Sequence, residues 1–111
     1  MDDWLDTGEE EDFKLLRLIF KKKLETVIEP VFYRLQQAHE DKEIEQYTGI
    51  EESVFRLGNN MVRIVYSGLG KVKIYTIYEG LDSPENTQIS MPLGKLTKKE
   101  VERIIKDFIN A

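Results

Sequence analysis

The chain has 111 residues, 41% hydrophobic and 33% charged, with a formal net charge of -5, which is the make-up of one globular domain with one core and excludes wholesale disorder. It has no cysteine, so disulfide frameworks, thiolate nucleophiles and cysteine metal sites are excluded. No apolar run approaches the roughly 18 residues of a membrane span, and the acidic start MDDWLDTGEEED lacks the basic-then-apolar order of a signal peptide, so a cytoplasmic protein with no membrane contact is expected.

Charge is segregated along the chain. Asp2, Asp3, Asp6, Glu9, Glu10, Glu11 and Asp12 precede the first base, whereas Ser53 to Tyr78 holds Arg56, Arg63, Lys71 and Lys73 without any acid. Residues 1–12 repel one another and show no apolar periodicity, which predicts a flexible acidic tail before a single α+β domain over 13–111. Trp4 and Leu5 are the candidate anchors if that tail docks on a basic partner.

Apolar residues then recur with helical spacing. At about 100° per residue, Phe13, Leu16, Phe20, Leu24, Val27, Val31, Leu35 and Ala38 share one stripe, with Ile28 at its edge. Pro30 lies opposite the stripe and interrupts the backbone hydrogen bonding. The segment is therefore either one kinked helix ending near residue 43 or two helices meeting near Glu29. Leu15, Leu18 and Ile19 lie off the stripe, so the start of this helix needs cover on a second side, from another part of the domain, from a partner or from a second copy.

After Gly49 the period becomes two. Ser53 to Leu57, Met61 to Tyr66 and Lys71 to Tyr78 are rich in valine, isoleucine and tyrosine and are separated by Gly58-Asn59-Asn60 and Ser67-Gly68-Leu69-Gly70, which predicts a hairpin-linked meander. A looser segment from Leu81 to Thr87, with Pro84 inside it, leads to a short candidate edge strand, Gln88 to Met91, closed by Pro92. Finally, Thr97 and Glu100 form a capping-box signature. The helix that follows carries Val101, Ile104, Ile105, Phe108 and Ile109 on one face, whose burial would contribute roughly 8 to 15 kcal/mol before chain entropy. The expected fold is a long N-terminal helix, three or four antiparallel strands and a C-terminal helix, both helices on one sheet face.

Motifs that suggest chemistry dissolve in context. The glycines of YSGLGKVKIY resemble a phosphate loop in composition, but that motif requires a helix after the lysine, and here an alternating strand pattern follows. A calcium loop centred on Gly8 fails because Leu5 and Lys14 would occupy ligand positions. His39 and Glu43 share a helix face as only two metal ligands. No nucleophile-elbow pattern accompanies Ser53, Ser67, Ser83 or Ser90, and the adjacent Glu51 and Glu52 would point to opposite sides of a strand. No enzyme, cofactor or metal is expected.

Alternation assigns Phe55, Leu57, Val62, Ile64, Tyr66, Val72, Ile74, Thr76 and Tyr78 to the core and Arg56, Arg63, Val65, Lys73, Tyr75 and Ile77 to the opposite face. The reading that follows is a small non-catalytic interaction protein, such as an inhibitor, adaptor or immunity-type factor. It would bind another protein or a second copy through Trp4, Leu5, Leu15, Leu18, Ile19, Arg56, Arg63, Lys73 and Tyr75. One alternative is a nucleic-acid binder using the basic and aromatic sheet face with Lys21 to Lys23 as a flank. Another is an acidic nucleic-acid mimic acting through the tail.

Overall fold

The computed structural model describes residues 14–78 and 87–110. Trp4, Leu5 and most of the looser segment before the last strand lie outside the described residues. Among the described residues, no helix is long and apolar enough to cross a membrane.

Helix α1 occupies residues 14–38 and runs through Pro30 without a break. Its turn Leu24–Ile28 is π-helical, and the Glu29 N–H donates to the Leu24 carbonyl five residues back. A proline ring clashes with the carbonyl four residues before it and supplies no donor. Widening the preceding turn accommodates that ring, so the two-helix alternative does not occur.

The wider turn also changes which residues are buried. A four-residue step in an α-helix advances a side chain by about 40° beyond a full turn, yet Phe20, Leu24, Ile28 and Phe32 are all buried in succession. Phe32, which a uniform wheel leaves off the stripe, is 0% exposed. The helix stops at Ala38, earlier than the expected residue 43, because His39 leaves helical geometry at φ -126°, ψ 49°.

The sheet has five strands rather than three or four, in the order β1 (Ile44–Thr48), β2 (Glu52–Leu57), β3 (Asn60–Gly68), β4 (Lys71–Ile77) and β5 (Thr87–Pro92). Every adjacent pair is antiparallel. The added strand, β1, reads IEQYT, and of its residues only Ile44 is buried. It therefore lacks the apolar alternation that marks a strand in sequence; pairing with β2 and side-chain bonds from α1 hold it.

One face of the sheet carries the core. Phe55, Val62, Ile64, Tyr66, Val72 and Ile74 are buried there. Phe20 of α1 stacks on Tyr66 at 5.3 Å, Phe32 meets Phe55 at 5.1 Å, and Phe108 of helix α2 (Lys98–Asn110) meets Phe55 at 6.3 Å. Both helices thus cover the same side. Helix α2 buries Val101, Ile104, Ile105, Phe108 and Ile109 as expected, and Thr97 Oγ1 accepts the Glu100 N–H at 3.3 Å. Lys23 fastens α1 to the 3-10 turn Leu93–Lys95 that precedes α2, donating to the carbonyls of Leu93 at 2.5 Å and Leu96 at 3.1 Å.

The connection between β3 and β4 is the expected hairpin. Gly68 and Gly70 have φ of 88° and 72°, which glycine adopts without strain, and Leu69 between them is also left-handed, at φ 55°. Strand β4 starts directly at Lys71, so no helix follows the loop as a phosphate-binding motif requires. The Gly70 N–H donates to the Tyr66 hydroxyl at 3.2 Å.

Candidate interaction surface

The uncovered side of the sheet is built from the residues that alternate with the core. Cross-strand register aligns Tyr47, Val54, Arg63, Tyr75 and Gln88 in one row spanning all five strands. A second row runs Glu45, Arg56, Met61 and Ile77, and a third runs Glu52, Val65, Lys73 and Ser90. Arg56, Arg63, Lys73 and Tyr75 are therefore brought together, as the alternation predicts.

Carboxylates change the character of this face. The Ser53 to Tyr78 stretch holds no acid, but Glu52 begins β2 and its Oε2 accepts from Arg63 Nε at 2.6 Å. Glu45 of β1 stands across from Arg56, whose Nε donates to the Gly58 carbonyl at 2.9 Å. Against these two acids stand the bases Arg56, Arg63, Lys71 and Lys73. The face is consequently mixed rather than strongly cationic. At its centre lie the half-buried side chains of Val54, Val65, Met61 and Tyr75, with exposed Tyr47 and Ile77 at the sides.

The other candidates separate from this patch. Leu15, Leu18 and Ile19 sit on α1 and are 55%, 61% and 38% exposed, so nothing among the described residues supplies their second cover. Within the basic run of α1, Lys23 is committed to the Leu93 and Leu96 carbonyls and does not contribute to a flank for nucleic acid. His39 Nδ1 lies 2.9 Å from the Leu35 carbonyl, and the described residues contain no group of three or more ligands suited to a metal ion. Ser53 is buried, with its hydroxyl 3.1 Å from Thr48 Oγ1 and 3.3 Å from the Tyr47 carbonyl, a structural arrangement without a base.

Seven residues of these rows were not assigned to the open face from the sequence: Glu45, Tyr47, Glu52, Gln88, Ser90, Val54 and Met61. The last two share the parity of Arg56 and Arg63 within their strands, so strict alternation places them there. Glu45 and Tyr47 carry no such signal, since they arrive with the unexpected strand β1. No protein-family model, curated protein or solved structure matches the chain.

Proposed function

We propose that this chain is a non-catalytic protein-interaction module whose docking surface is the open sheet face, in the manner of an inhibitor, adaptor or immunity-type factor. The observation that carries the reading is the aligned patch of Tyr47, Val54, Met61, Val65 and Tyr75, with the Glu52–Arg63 ion pair inside it. An apolar, aromatic centre with arginine and paired charges beside it is the anatomy of a protein interface. Nucleic-acid binding would instead draw on unpaired bases, and here a carboxylate already occupies Arg63.

Affinity purification from the native host, at low and high salt, tests the proposal. A protein retained by the wild-type chain and lost with Tyr75→Ala supports it, the loss being about 30-fold or more if Tyr75 is an anchor of 2 kcal/mol. Retention of oligonucleotides that collapses with salt would transfer the surface to nucleic acid, and enrichment of no protein would overturn the proposal. The exposed Leu15, Leu18 and Ile19 support self-association through α1 as a second contact. Light scattering should then show a dimer that Leu18→Glu converts to a monomer; a wild-type monomer at micromolar concentration removes this contact.

A further inference from the structure

A second surface lies along the free edge of β1. Gly58 N–H donates to the Glu43 carbonyl at 3.2 Å and Gly49 N–H to the Glu52 carbonyl at 2.8 Å. These bonds fix the odd-numbered residues of this segment toward β2, so Ile44, Gln46 and Thr48 turn their backbone groups away from the sheet. Ile44 is closed off, its carbonyl accepting from Gln36 Nε2 at 2.8 Å and its N–H donating to the Lys42 carbonyl at 3.0 Å. Gln46 and Thr48 have no such closure among the described residues, leaving two donors and two acceptors in strand geometry.

Helix α1 forms a wall beside this edge. Lys21, Glu25, Glu29 and Thr48 border a cavity of about 460 Å³, and Glu25, Glu29, Tyr33 and Thr48 border its neighbour of about 380 Å³. Because the two share Glu25, Glu29 and Thr48, they form one groove. Lys21, Glu25, Glu29 and Tyr33 are spaced four apart, and over three such steps an ideal α-helix would carry the last residue about 120° away from the first. The π-helical turn Leu24–Ile28 lies between them and takes up that drift, which keeps the row facing β1. Neither Glu25 nor Glu29 has an ion-pair partner among the described residues, and exposed Tyr33 and Ile50 stand toward the two ends.

We infer that this groove takes an extended peptide segment of a partner protein, which adds as a strand beside β1. Gln46 and Thr48 supply the backbone hydrogen bonds, and a lysine or arginine side chain of the peptide sits against Glu25 and Glu29. Alternate apolar side chains of the peptide meet Tyr33 and Ile50. Strand addition draws affinity from the main chain and specificity from pockets at two-residue spacing, and the excess of carboxylate over Lys21 selects the basic residue. The site meets the open sheet face at Tyr47, which borders the groove as well, but its strand-edge backbone groups and its carboxylates lie apart from that face and act without it.

A phage-displayed library of random heptapeptides, selected on the full chain, tests this. The expected outcome is enrichment of one basic position flanked two residues away by apolar ones, with a selected peptide shifting the Gln46 and Thr48 amide resonances. Replacing both acids, Glu25→Lys with Glu29→Lys, should weaken that peptide at least tenfold and turn the selection toward acidic residues. Tyr75→Ala should leave the selection unchanged, which separates this groove from the open face. Both glutamates lie outside the core, and an unchanged unfolding midpoint shows that the double variant folds. Enrichment without a basic position, selection indifferent to the charge swap, amide shifts confined to other strands, or no enrichment at all would each overturn the inference.

Discussion

The two faces of the sheet are made by the same strands and differ only in which alternate residues they present. On the helix side, Phe55, Val62, Ile64, Val72 and Ile74 are wholly or almost wholly withdrawn from solvent, and Phe55 meets rings from both helices. On the open side, Val54, Val65 and Tyr75 are half-buried among long charged side chains. Removing a group from the first face leaves a cavity. Removing one from the second leaves solvent, so the covered face bears on stability far more than the open one.

The largest effect belongs to the covered face. Phe55→Ala removes the ring that touches both Phe32 and Phe108 and should destabilise the fold by about 3–5 kcal/mol, read from chemical denaturation. Next comes the clamp between α1 and the turn before α2. Lys23→Met keeps the aliphatic stem but abandons the Leu93 and Leu96 carbonyls, and should cost about 1.5–3 kcal/mol by the same measurement.

The smallest effect lies at the helix exterior. The Lys106 ammonium and then the Arg34 guanidinium hold the Glu102 carboxyl below its usual value, with Lys106 Nζ at 2.8 Å. A carboxyl lowered in the folded state contributes stability above its unfolded value, about 4.3, and loses it as pH falls through the folded value. Glu102→Gln should therefore lower the unfolding midpoint slightly at pH 7 and make a smaller difference at pH 3. The Glu102 side chain is half-buried but its two partners are exposed, so added salt should shrink the pH 7 effect further.

How much of this was legible in the sequence depended on whether an element carries its own periodicity. Helix α2 announces itself through Thr97, Glu100 and a regular apolar stripe, and β2 to β4 through strict alternation. Phe32 was hidden because a uniform 3.6-residue wheel has no place for a π turn, although Pro30 marked where the wheel would fail. Strand β1 was hidden for another reason: at the sheet edge, with only Ile44 buried, its alternation carries almost no apolar contrast. The same blind spot concealed Glu45 and Tyr47, and with them the balance of charge on the open face. The sequence places Arg56, Arg63 and Lys73 on that face and assigns to it neither Glu45 nor Glu52, the carboxylates set against them.

The proposed use of the open face for recognition rather than stability separates most sharply on the double variant Val54→Thr, Tyr75→Thr. Its urea unfolding and its capture of the host partner should be measured on the same preparation. Stability should stay within about 1 kcal/mol of wild type, with capture abolished. A loss of several kcal/mol, or capture that survives the substitutions, would contradict it.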